Sequence, residues 1–292
     1  MFIAFEPILI FTLLNIALTV GLYISNLSGQ LSLGTAAVAG IGGYISAVLT
    51  SRLGMPFPVG LLAATAGGVV VGVGLGLMTY RMEMFVFKLV TLAFGEAVVV
   101  LAFNIDYLGG ANSFTGIPLH TGMFVAFALA AGAVLVAYLI DFSALGFAAR
   151  AVRDDALAAS AMGISIRGVR VFTLAVSTGL IALTGAMQAH YLLVINPHDL
   201  TFFVSLSIII FLLFGGMQTL WGAVLGATIL TVLPEVLRFS NEYRLILFGV
   251  LVVAIVMLRP EGLLTRRPLK VPPRRTGRPL PIEISQVGPN GA

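Results

Sequence analysis

The sequence contains no cysteine, which removes disulfide frameworks, thiolate metal sites and cysteine nucleophiles at once. Charge is almost as scarce: 10% of the 292 residues are Asp, Glu, Lys or Arg against 59% hydrophobic, a balance far from that of a soluble domain. No G-x-x-x-x-G-K-[ST], H-E-x-x-H or G-x-S-x-G run occurs. The three histidines, His120, His190 and His198, lack the spacing of a metal site, and no nucleophile and base face each other in an apolar run. The chain is therefore expected to be no enzyme, to hydrolyse no ATP by itself and to need no cofactor.

What is present is apolar sequence in span-length runs, and the mean hydropathy of +1.07 places the chain in a membrane. Runs fall near 7–25, 31–50, 56–79, 84–103, 122–140, 170–193, 202–217, 219–237 and 244–258. The expected fold is all-α, a polytopic integral membrane protein of about nine (8–10) transmembrane helices. The Gly-rich run at 31–50 also suits a broken or re-entrant helix, and the nearly abutting 202–217 and 219–237 suit a hairpin. The start, "MFIAFEPILIF", has no basic region and no small-residue cleavage site, so it reads as a first span.

Two domains are expected, a transmembrane unit over 1–260 and a basic, proline-rich, disordered tail over 261–292. Nine crossings with the 141–170 loop in the cytoplasm put 12 cations inside and 3 outside, Arg52, Arg238 and Arg244, with Lys88 in a span. The N-terminus then faces out and the C-terminus in. Charge of this placement points to anionic membrane lipid and to no nucleic acid.

Gly68, Gly72 and Gly76 stand four apart and share a helix face, the small-residue device that lets membrane helices approach closely. Lys88 and Glu96 share one span, and at ~1.5 Å per residue they lie ~12 Å apart along its axis, so Glu96 needs a partner on another helix, cavity water or a proton. It is a candidate both for internal bonding and for the translocation pathway. "SGQLSLG" and "GGMQTLWG" add Gln30, Ser32, Gln218 and Thr219 as pathway candidates beside flexible backbone, with close packing by their glycines as the alternative.

One stretch breaks the apolar pattern: "RAVRDDALAASAMG", residues 150–163. Good helix formers from Leu145 to Met162 and a stop at Gly163 predict one short cytoplasmic helix. Arg150, Arg153 and Asp154 cluster on one side, and Val152, Ala156, Ala159 and Met162 follow helical spacing on another. Such a small-residue face suits a protein groove better than a membrane surface.

This stretch resembles the cytoplasmic EAA-type loop of ATP-binding-cassette importer permeases, with Ala158, Ala159 and Gly163 at the matching spacing. Together with "SGQLSLGTAAVAGIGGYISA", "KLVTLAFGEAV", "GANSFTGIP", "TGAMQAHYLLVINP" and "LLFGGMQTLWGAVLGATILTVLPE", in that order, the chain resembles the branched-chain amino acid permease family. Leu157 stands where the general importer loop has glutamate, and Thr35 where many relatives have histidine. The resemblance implies a permease subunit in the bacterial inner membrane that moves branched-chain or related amino acids by alternating access. It implies pairing with a homologous second permease, two cytoplasmic ATP-binding subunits and a periplasmic substrate-binding protein. Residues 150–163 would be the ATPase-coupling helix, through Arg150, Arg153, Asp154, Ala158, Ala159 and Gly163. A same-family importer of urea, short amides or another small polar solute, and a partner-free ion-coupled carrier or channel resting on Glu96, are the other readings.

Overall fold

Glu6–Asn26 (α1) is a run of leucine, isoleucine and alanine whose only proline, Pro7, sits in the first turn, where no intrahelical bond is lost. Its 21 residues reach about 31 Å, enough to cross hydrocarbon. The computed structural model describes residues 6–236, 249 and 262–264. The span expected at 244–258, apart from residue 249, and the tail beyond 264 lie outside the described residues.

Irregular backbone follows α1 through Leu27–Gly34, and the helix expected from residue 31 begins only at Thr35 (α2, Thr35–Ala47), continuing as a π-helical turn over Val48–Arg52. Side chains take over the backbone bonding there: Thr91 Oγ1 accepts from Leu33 N–H at 3.1 Å and Ser205 Oγ from Ala36 N–H at 2.9 Å. Phe57–Thr79 (α3), Met84–Asn104 (α4), Met123–Asp141 (α5) and Ile166–Leu192 (α8) are, with α1, the five described helices long and apolar enough to span. Phe202–Gly215 (α9) and Leu220–Val236 (α10) are bent by 119° about Gly216–Thr219, so α10 turns back along α9. The turn is tied to α1, whose Asn26 Nδ2 donates to Met217 O at 2.8 Å.

The core is built around α1 and α8, the two most buried spans, with α8 packed on α1, α2 and α3. Glycine permits the closest of these approaches. A Cβ at Gly42 would overlap the Ala182 backbone of α8, and one at Gly185 the Ala39 backbone of α2. Gly68, Gly72 and Gly76 face α8: a Cβ at Gly68 would lie 2.5 Å from Thr178 O, and at Gly72 2.8 Å from Ala175 Cα. Gly74, between them, meets nothing within 4 Å. Gly72→Ala is therefore expected to lower the melting temperature in detergent while Gly74→Ala leaves it unchanged or raises it, since alanine favours the helix by about 1 kcal/mol where space allows. Equal effects at both positions would remove the α3–α8 contact from the fold.

The apolar sides of α3, α4 and α5 face outward, with Val70, Phe85 and Phe124 each more than two-thirds exposed, as suits a protein solvated by lipid tails. The two ends of the bundle differ in charge. Arg81, Arg150, Arg153, Arg167 and Arg170 gather at one end: Arg170 Nη1 donates to Tyr80 O at 2.7 Å, and the Arg81 and Arg167 guanidinium groups lie on the Tyr80 ring. At the other, Arg52 lies over Tyr107 and Phe114, beside the two-residue strands Phe114–Thr115 (β1) and Val194–Ile195 (β2), which pair antiparallel.

The 145–162 stretch is two helices, not one. Ala144–Asp154 (α6) and Ala156–Ala161 (α7) are separated by Asp155, whose backbone is extended and whose carboxylate accepts from Leu157 N–H at 2.9 Å and Ala158 N–H at 3.0 Å. An aspartate that caps the next helix ends the previous one, and this local bond outweighs the alanine-rich propensity on both sides.

Candidate functional site

At the end opposite the arginine cluster, α1, α2, α8, α9 and the turn Pro197–Leu200 enclose a cavity of about 390 Å³, within the range of small-molecule sites. Three glycines, Gly40, Gly43 and Gly185, form part of its wall where α2 and α8 pack too closely for side chains. Phe11, Leu18, Ile208 and Phe211 are among its apolar lining. Asn15, Gln188, Asn196 and Asp199 add polar groups, and no lysine, arginine or histidine lines it. Asn15 Nδ2 donates one N–H to Thr231 Oγ1 at 3.0 Å, which leaves its second N–H and its oxygen to a ligand.

Of the residues singled out in the sequence, Gln30 and Ser32 are buried in the irregular link between α1 and α2 and do not line this cavity. Ser28 Oγ joins Gln30 Oε1 at 3.1 Å to Thr173 Oγ1 at 2.8 Å, while Gln30 Nε2 has no bond. Glu96 finds its partner on another helix: its Oε1 accepts from Phe202 N–H at 3.2 Å, placing a carboxylate at the amino end of α9, where the helix dipole favours it. Gln218 is exposed in the α9–α10 turn, and Thr219 Oγ1 donates to Leu264 O at 3.1 Å. None of these five residues lines the cavity.

The 150–163 stretch lies at the arginine-rich end. Arg150 forms an ion pair with Asp141, the last residue of α5, which is 1% exposed, and Nη1 also donates to Asp141 O at 2.9 Å. Arg153 pairs with Asp154 at 3.0 Å, and its stem lies against Gly29, where a Cβ would come 3.2 Å from Arg153 Cγ. That glycine has φ +80°, so it serves both the turn and the close approach. Val152 and Ala159 are buried in the chain's own core while Met162 is 84% exposed, so the expected shared face of Val152, Ala156, Ala159 and Met162 does not exist. What α7 offers outward is Leu157, 82% exposed, with Ala158 and Met162, ahead of Gly163 in the left-handed region at φ +83°.

The sequence reading missed the cavity residues, since Asn15, Gln188 and Asn196 belong to three separate elements with no motif spacing between them. Asn15 carried a signal nonetheless: an amide in the middle of "LLNIAL" is costly in a span unless something bonds it. His190, fully buried, is a structural group, with Nε2 3.0 Å from Ser46 Oγ and Nδ1 2.9 Å from Pro118 O, holding the 114–121 loop on α8. Among the described residues no three His, Asp or Glu side chains are placed to hold a metal.

Residues 5–256 match the family described as "Branched-chain amino acid transport system / permease component". The chain is 29% identical over 303 aligned residues to the "High-affinity branched-chain amino acid transport system permease protein LivM" of Escherichia coli (strain K12), covering 89% of this chain and 70% of that protein. It is 24% identical over 245 residues to the "Probable branched-chain amino acid transport permease protein LivM" of Methanocaldococcus jannaschii, covering 74% and 70%. No solved structure matches. The family match along most of this multi-pass helical bundle makes it a transport permease subunit rather than an enzyme, and the chain belongs to the permease-component family of branched-chain amino acid transport systems.

Proposed function

We propose that this chain is one of two homologous permease subunits of an ATP-binding-cassette importer in the bacterial inner membrane, carrying branched-chain amino acids. The observation that carries the reading is the placement of the cavity and the exposed α7 at opposite ends of one bundle, with the core helix α8 running from one to the other. The arginine-rich end is cytoplasmic by the positive-inside rule, which places the cavity mouth on the side where a periplasmic binding protein delivers substrate. The cavity wall, which combines apolar side chains with a few polar groups, suits an aliphatic amino acid better than urea, which has no apolar part to bury. Alternating access then requires a second state of the bundle, biased by two cytoplasmic ATPases that grip α7.

Leu157 and Met162 are the contacts the ATPases would cover, because exposed apolar side chains on a charged cytoplasmic surface are otherwise unfavourable. Leu157→Asp with Met162→Asp is expected to cut ATP-driven L-leucine uptake into proteoliposomes at least about tenfold and to weaken ATPase retention on purification, with the melting temperature of the permease held. Native uptake and retention by the double variant would remove α7 as the coupling element. A native complex that moves no branched-chain amino acid would remove the substrate.

A further inference from the structure

Resting on the amino-acid reading above, we infer that the turn Asn196–Leu200 reads the head group of the transported molecule, Asp199 accepting from its ammonium and the Asn196 amide donating to its carboxylate. Asp199 is the sole ionisable residue lining the cavity, it is exposed, and no described side chain forms an ion pair with it. Asn196 is oriented by its own backbone: its Oδ1 accepts from His198 N–H at 3.0 Å, which leaves Nδ2 as the atom free to donate. The two groups sit three residues apart on one 3₁₀ turn closed by Asp199 N–H to Asn196 O at 2.9 Å. The turn is seated firmly, with Pro197 and Leu200 buried and Leu200 pressed against Gly40 of α2.

An acceptor that carries charge beside a fixed donor complements a zwitterion. A free carboxylic acid would meet Asp199 with like charge and no cation to offset it, and a neutral amide or urea would cover the carboxylate without supplying the charged donor it needs. The aliphatic side chain of the zwitterion then falls on Leu18, Ile208 and Phe211. Selection for the amino group is thereby made in the membrane subunit itself, in addition to any choice made by a delivering protein.

The absence of native cysteine allows a charge-specific test in the assembled importer. Asp199→Cys is expected to lower L-leucine uptake about tenfold or more, the effect of losing one charged hydrogen bond, with complex yield and melting temperature retained. Sulfonatoethyl methanethiosulfonate, which restores an anion at position 199, should recover part of that uptake, and aminoethyl methanethiosulfonate should recover none, with the native chain treated alike as reference. Asn196→Asp, which keeps the acceptor for His198 N–H but replaces the donor with an anion, should raise the half-saturating leucine concentration. Near-native uptake by Asp199→Cys, or equal response to the two reagents, would overturn the inference while leaving the importer reading intact. Failure of the native complex to take up leucine would instead strike the importer reading.

Discussion

Gly185→Leu is expected to abolish accumulation of folded protein. Any Cβ at this position overlaps the Ala39 backbone of α2, and the reciprocal contact of Gly42 with the Ala182 backbone leaves no direction in which the helices can slide apart and keep the other contact. Overpacking against movable side chains costs about 1–3 kcal/mol, and here a leucine must displace main chain at the centre of the bundle, so the cost exceeds that range. Set against a total stability of about 5–15 kcal/mol, the folded fraction falls sharply. The control is Gly132→Leu on α5, where an added Cβ meets nothing within 4 Å. Size-exclusion profiles in detergent should show a native-like peak for Gly132→Leu and aggregate or no protein for Gly185→Leu. A monodisperse Gly185→Leu protein would mean that α2 and α8 are further apart than described.

Arg150→Ala is expected to be nearly as damaging, for an electrostatic reason. It takes the guanidinium away from the Asp141 carboxylate, 1% exposed, at the end of α5. Loss of one partner of a buried ion pair costs up to about 3–5 kcal/mol, because the remaining carboxylate keeps its desolvation penalty and loses a charged donor. Replacing both partners separates charge from geometry. Asp141→Leu with Arg150→Met should recover much of the melting temperature lost by Arg150→Ala, because neither new side chain carries a charge, whereas Asp141→Arg with Arg150→Asp should not, since the longer arginine must then fit the buried position of Asp141. If Arg150→Ala melts with the native protein, the pair holds nothing together.

The spans were legible because an apolar run of sufficient length has one stable fate in a bilayer, and Glu6–Asn26 and Met84–Asn104 fall within a residue or two of where hydropathy puts them. The start of α2 was not, because Gln30–Gly34 is apolar and small enough to read as helix, and its departure from helix is fixed by distant hydroxyls, Thr91 and Ser205, invisible to any local window. Asp155 shows a different failure. The cap was present in the sequence as an aspartate before "ALA", but alanine propensity summed over the stretch outvoted a single side-chain bond. The cavity lay furthest from view: Asn15 and Asp199 are brought together by the packing of α1, α2, α8 and α9, a property of the whole bundle.

The interruption at Asp155 divides labour along the chain. Most of what fastens this region to the spans, the Asp141 pair of Arg150, the Arg153 stem on Gly29 and the buried Val152, belongs to α6, while α7 adds only the buried Ala159 and carries outward Leu157 and, at its cap, Met162. A segment of seven residues, 156–162, thus behaves as an exchangeable adaptor on a permanent mount. On the coupling role proposed for α7, grafting the outward positions of a related permease onto it, with Ala159 retained for its buried side, is expected to redirect the subunit to another motor without disturbing the bundle.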